Sequence, residues 1–304
     1  MTQRREPIVS VGLQGGLGNQ MFQYAAGHAV ARRTGATLQL DLGHYARFDK
    51  RRYELACFGV PARISSERSP TAPRGPAHWV ALRIVNRLGL PAHVVHGGWN
   101  VYTQVGFHFD PAFEALRAPI HLDGYFQSEL YFREVAGEIR DLFTIRVPTS
   151  PAYDDARAKI AVSEWPVAIH VRRGDFISDP TLREVNNILD ASYYRAAMSL
   201  GERLSPRPAT YFVVSDDIGL ARRLFGGAGK VVYLSDQAER PWEDLALMAA
   251  CRAQIIANST FSWWGAWLNP HPDKWVIAPR QWFAKPLLRR SSTADLFCPG
   301  WITM

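Results

Sequence analysis

The chain has 304 residues, 47% of them hydrophobic, enough for one large core or two of ordinary size. Its 35 basic residues outnumber 28 acidic ones, giving a formal charge of +7, but they are spread along the chain without zinc-finger spacing or an RNA-recognition motif, which argues against nucleic acid as a partner. No apolar run approaches the ~20 residues of a membrane span, no leader pattern opens the chain, and the scattered cysteines Cys57, Cys251 and Cys298 read as free thiols of a reducing cytosol.

In chain order, the first fifty residues predict a strand–helix–strand unit: a strand at 8–13, a glycine-rich turn at 14–19, a helix over 20–34 closed by Gly35, and a strand at 37–42. The stretch 61–119 reads as irregular, with one helix at 76–88. A strand at 120–125 and an amphipathic helix over 128–143 complete the first half, and the proline-bearing stretch 147–151 marks a domain boundary. Strands then recur at 167–171, 209–215, 231–234, 254–258 and 275–278. Helices end near Leu224, run from Pro241 to Cys251 and from Ser259 to Leu268. Strands alternating with helices predict parallel sheets that present ligands at their carboxyl ends, in two units facing a cleft.

The turn Gly15-Gly16-Leu17-Gly18-Asn19-Gln20 joins strand to helix, where bare backbone and a helix N-terminus favour an anion. Gly18 is not followed by the Lys-Ser/Thr of a P-loop, and Met21 stands where a dinucleotide fingerprint needs its third glycine. Asp41, ending the next strand, occupies the place of an NAD enzyme's ribose-binding acid, so an oxidoreductase stays an alternative, as does a turn with no ligand.

A second site, His170-Val171-Arg172-Arg173-Gly174-Asp175-Phe176, ends an apolar strand. Two arginines beside a glycine suit a diphosphate, because forked guanidiniums in place can offset the charge growing on a departing nucleotide without a metal. The plain alternative is a surface ion pair with Asp175. Only five of the 35 basic residues are lysine, and codon usage in a GC-rich genome is the plainer reading of the arginine excess as a whole, with phosphate recognition as a functional part of it.

The third site runs from Asn258 through Ser259, Thr260 and Ser262 to Trp263, Trp264 and Trp267. Three hydroxyls and free amides at a helix start make an anion site, or a simple cap. Two of the tryptophans are expected in the core. Asp216-Asp217 suits either a nucleoside or a metal, but no Asp-x-Asp occurs, so no divalent ion is expected. His93 and His96, three apart, read as surface polar groups on a turn. Ten tryptophans and eleven tyrosines leave a non-catalytic carbohydrate-binding protein as a further alternative.

Taken in order, GGLGNQMFQYAAG (15–27), LDGYFQSELYF (122–132), HVRRGDF (170–176), FVVSDD (212–217) and DLALMAACRAQIIANSTFSWWGAWLN (244–269) resemble the family 11 glycosyltransferases, the α-1,2-fucosyltransferases. The resemblance implies an α/β, GT-B-like fold of two Rossmann-like domains facing a cleft. Here these would be an acceptor-side domain at 1–149 and a GDP-fucose-binding domain at 150–304, with the last segment packing back on the first. It further implies GDP-β-L-fucose as donor, a galactose-type glycan as acceptor, inversion, no metal, and a cytoplasmic chain without the membrane anchor of animal relatives. The basic surplus leaves room for weak peripheral contact with a membrane surface.

Residue by residue, the resemblance assigns the donor β-phosphate to Arg172 or Arg173, with His170 and Gly174 in the same loop. Ser259, Thr260 and Ser262, after Asn258, hold phosphates, and Asp217 the nucleoside side. The loop of Gly16 and Gly18 lies across the cleft, with Asn19 at the fucose or the reacting hydroxyl. Asp175 is the expected general base, with Asp179, Glu129 and a base-free route as rivals. A fucosyltransferase of another linkage or acceptor is the nearest alternative.

Overall fold

The computed structural model describes residues 6–46, 51–65, 93–96, 99–172, 189–226, 229–234, 240–284 and 292–304. The chain divides into two compact units, Met1–Thr144 with Ala294–Leu296, and Ile145–Thr293 with Phe297–Met304.

The first unit contains β1 (Ile8–Gly12), α1 (Leu17–Thr34), β2 (Thr37–Asp41), β3 (Arg63–Ser65), β4 (His93–His96), β5 (Trp99–Thr103) and β6 (Ile120–Asp123). Its sheet has the order β3-β2-β1-β6-β5-β4. All pairs are parallel except β4 with β5. Helix α1 begins at Leu17, three residues ahead of the expectation, because Gly16 is the N-cap and its carbonyl already accepts the amides of Asn19 and Gln20. It ends as expected at Gly35, whose φ of 63° returns the chain and lets its N–H reach Ala31 and Arg32. Gly27 faces the sheet: a Cβ there would sit 2.3 Å from Val11 Cγ2 and 2.9 Å from Leu38 Cδ1.

The expected helix over 128–143 forms only at α2 (Ala136–Leu142), preceded by 3-10 turns at Glu129–Tyr131 and Arg133–Val135. Phe132 breaks the run with φ −141°, and the Tyr131 ring packs edge-on against Phe113 and Phe126. Strands β4 and β5 fall in the stretch read as irregular, so His93 and His96 lie on a strand and not on a turn. The expected helix at 76–88 lies outside the described residues.

The second unit contains α3 (Pro151–Ala161), β7 (Trp165–Val171), α4 (Ala191–Leu204), β8 (Ala209–Ser215), α5 (Ile218–Phe225), β9 (Lys230–Tyr233), α6 (Pro241–Ala250), β10 (Ala253–Ile255), α7 (Thr260–Leu268), β11 (Val276–Ala278) and β12 (Ile302–Thr303). Its all-parallel sheet runs β12-β11-β10-β7-β8-β9. Strands β7 and β8 are buried at every position, the continuous apolar pattern of a sheet covered on both faces. Val167, Ile169, Tyr211 and Val213 pack toward α4 and α5. Ala168, Phe212 and Val214 pack toward α3 and α6. Helices α3 and α4 were not expected; Ser150 and Asp190 cap them through hydrogen bonds to first-turn amides.

Candidate active site

In the second unit, β7, β8 and β10 are adjacent and parallel, so their carboxyl ends meet at one edge of the sheet. Arg172 follows β7 and Asp216 follows β8. Their side chains pair, Nε to Oδ2, at 3.3 Å, and both are mostly shielded (21% and 23% exposed). The ion pair weighed for this loop is thus made to Asp216, while Arg173, Gly174, Asp175 and Asp179 lie outside the described residues. An arginine tied through Nε keeps its outer nitrogens in a fixed plane, a geometry suited to an oxyanion pair.

His170 lies one strand position below the surface, buried, its ring 5.5 Å from that of Phe261 in the first turn of α7. The end of β7 therefore touches the start of α7. Burial, with Arg172 nearby, pushes the His170 pKa down to about 3. The ring is neutral at pH 7 and acts as a wedge between strand and helix, not as a cation for phosphate.

At the start of α7, Ser259 is the N-cap in extended backbone but makes no side-chain capping bond. The first-turn amides of a helix lack intrahelical partners and carry its positive dipole end, which suits an anion. The three hydroxyls do not act alike. Ser262 is fully buried and donates to the carbonyl of Ala257 or Ser259 (both 3.2 Å), whereas Ser259 and Thr260 are only half-buried. Asn258 is also buried and donates to the Trp282 carbonyl at 2.9 Å, anchoring the loop before the helix. All three tryptophans, Trp263, Trp264 and Trp267, are core, one more than expected. Asp217, assigned to the nucleoside side, spends one carboxylate oxygen as the N-cap of α5, accepting from Leu220 N at 2.8 Å.

The first unit carries a second polar surface at the carboxyl ends of β1 and β6. Gly15 has φ 79°, and its carbonyl accepts from the Tyr45 hydroxyl (2.9 Å) and from Gln20 Nε2 (3.1 Å). Gln20 also donates to the Arg52 carbonyl and accepts from Glu54 N, so one buried amide fixes turn and neighbouring loop together. Gly16 opens α1 and Gly18 is buried within its first turn. A Cβ on Gly16 would lie 3.7 Å from Arg51 Nη1, so a guanidinium stands over the turn.

The turn is fastened to the corner after β6. Gln23 accepts from Gln14 N (3.0 Å) and donates to the Gly124 carbonyl (3.1 Å). Asn19 Oδ1 accepts from Gln127 Nε2 at 3.0 Å. The motifs around residues 15–27 and 122–132, a hundred residues apart, thus form one surface. Sequence reading missed Gln20, Gln23, Tyr45 and Gln127; their glutamine-and-tyrosine chemistry carries no signal until the fold brings the partners together. Asp295, in the returning segment grouped with this unit, accepts from Phe109 N, and its carbonyl from Ser128 Oγ.

Fold and site together define a glycosyltransferase of the two-Rossmann-domain class. The chain belongs to glycosyl transferase family 11, whose model matches residues 109–304. It is 31% identical to the O-antigen biosynthesis glycosyltransferase WbnK of Escherichia coli over 96% of this chain and 99% of that one. It is 28% identical to an alpha-1,2-colitosyltransferase of Escherichia coli (91% and 93% covered). It is also 26% identical to galactoside alpha-(1,2)-fucosyltransferase 1 of Saimiri sciureus (84% and 63% covered). Among solved structures, Arabidopsis thaliana FUT1 in complex with GDP shares the fold at a TM-score of 0.51 and 13% identity, covering 90% of this chain and 70% of that chain. Fucosyltransferase NodZ from Bradyrhizobium does so at 0.50 and 17%, covering 86% and 91%.

Family membership removes the oxidoreductase and non-catalytic alternatives. Asp41, the last residue of β2, is buried, with Oδ1 accepting from Gly43 N of the turn that follows at 2.8 Å. Among the described residues, no helix is long and apolar enough to cross a membrane.

Proposed function

We propose that the chain transfers L-fucose from GDP-β-L-fucose to the 2-hydroxyl of a β-galactoside-type acceptor, with inversion and without a metal. The observation that carries this reading is the carboxyl edge of the second unit, where Arg172 pairs with Asp216 and His170, two residues earlier on β7, meets Phe261 in the first turn of α7. Guanidinium and helix amides are preorganised there for a diphosphate, the leaving group of a nucleotide sugar. The family's named fucosyl and colitosyl transfers support the sugar class and the 1,2-linkage.

In the reaction, the acceptor oxygen attacks C1 of fucose from the face opposite GDP. The C1–O bond to the β-phosphate breaks, and its electron pair leaves with GDP. The acceptor proton passes to Asp175, the base we assign, while Arg172 and Arg173 offset the phosphate charge. Asn19 and the surface around Gly16 and Gly18 belong to the acceptor side.

A colitosyl donor is the second reading, favoured by the 28% identical relative. A GDP-release assay with GDP-fucose and lactose, run with and without EDTA and with product linkage read by NMR, tests the proposal. The expected result is a 2-linked α-fucose at an EDTA-independent rate. Release only from a GDP-colitose donor would move the assignment to the second reading, and loss of activity in EDTA would overturn metal independence.

A further inference from the structure

The corner after β6 points one aromatic ring outward at a conformational cost. Phe126 has φ 52°, which a bulky residue adopts only when its surroundings over-determine it. Three features hold it there. Its ring is fully buried between Phe113 (5.7 Å) and Tyr131 (5.3 Å). Its carbonyl accepts from Ser128 N at 2.8 Å. Its amide and that of Tyr125 both donate to Gln104 Oε1, at 2.9 and 3.0 Å. Gln104 cannot turn over, because its Nε2 is engaged with the Tyr131 hydroxyl.

The result of this bracing is the neighbouring side chain. Tyr125 is 43% exposed, although it follows a buried strand and precedes a buried ring. Gly124, just before it, accepts through its carbonyl from Gln23 of α1, the helix that the glycine-rich turn opens. Gln127, two residues on, is bound to Asn19. The outward ring is therefore built into the surface formed by the glycine-rich turn and the β6 corner. Strain of this kind is retained where it serves a site.

We propose that Tyr125 is a specificity-determining platform, whose ring stacks on the C–H face of the acceptor's pyranose. This rests on the fucosyl-transfer reading above. An aromatic ring fits that role because it offers a large rigid apolar face with a polar tip. The stacking needs the ring and not the hydroxyl, so Phe should replace Tyr125 and Ala should not.

Lactose serves as the probe. Its KM and kcat are measured by GDP release for the wild type, Tyr125→Phe and Tyr125→Ala, alongside calorimetric GDP affinity for each. The expected result is a lactose KM raised roughly three- to tenfold in Tyr125→Ala. Its kcat and GDP affinity stay within about twofold, and Tyr125→Phe stays near wild type. An unchanged KM in Tyr125→Ala overturns the platform, as does an equal loss in Tyr125→Phe. A matching loss of GDP affinity would make Tyr125 structural and overturn it too. A wild type that binds GDP but releases none on lactose sinks the galactoside acceptor and the platform together; a wild type that does not bind GDP fails the donor reading instead. A parallel NMR titration of lactose alone then decides the platform through the same Tyr125 variants, and wild-type affinity in Tyr125→Ala would sink it.

Discussion

At the scale of single residues, several groups at the carboxyl edge of the second sheet serve the fold. Asp217 belongs at least half to the fold, because it caps α5. Asp217→Ala should lower stability by about 0.5–2 kcal/mol in urea unfolding. Unchanged stability would show that the cap contributes nothing. His170 gives a pH dependence with a definite sign. Its folded pKa of about 3 lies below the ordinary 6.5, so between those values the unfolded chain binds a proton that the native chain does not. Stability is fully present above about pH 6.5 and falls as pH drops toward 3, by up to ~1.4 kcal/mol per pH unit. His121, buried beside Ser10, is displaced in the same direction by desolvation. Replacing His170 with Asn should flatten the slope of urea stability between pH 7 and pH 5 by up to ~1.4 kcal/mol per unit; an unaltered slope would mean the ring is already protonated or exposed.

At the scale of elements, α1 ties the first unit together. It presses on β1 and β2 through Gly27, where even a methyl group would overlap Val11 and Leu38. Gly27→Ala should therefore destabilise by roughly 1–3 kcal/mol, as overpacking of a dense core does. A thermal scan showing wild-type stability would mean the helix can shift away. How legible the elements were follows from where their signals lie. The apolar runs of β7 and β8 and the Gly35 stop are local, and each was readable. Helix α3 was not, because it buries only Ala156 and Ile160 and begins at a proline that also suits a linker. The run 128–143 has helical periodicity, yet tertiary packing of Tyr131 against Phe113 and Phe126 overrode it. Site motifs were legible as backbone chemistry at strand ends. The glutamine ties from Gln20, Gln23 and Gln104 were not, since each joins residues distant in sequence.

At the scale of the whole molecule, two α/β units, one with an all-parallel sheet and one with a single antiparallel pair, supply two carboxyl edges of different character. One carries an arginine paired with Asp216 at the end of a strand that touches a helix start, the other a braced corner with an outward tyrosine. The division fits a transfer reaction, in which a charged donor and a neutral acceptor need different surfaces. The central claim is that the Arg172 edge holds the donor's diphosphate. Titration calorimetry of GDP, in EDTA, against wild type and Arg172→Ala tests it most directly. The account predicts GDP binding to the wild type and affinity roughly 10–100-fold weaker in the variant, the range for losing a charge-assisted contact. Equal affinity in the two proteins, with far-UV circular dichroism unchanged, would contradict it.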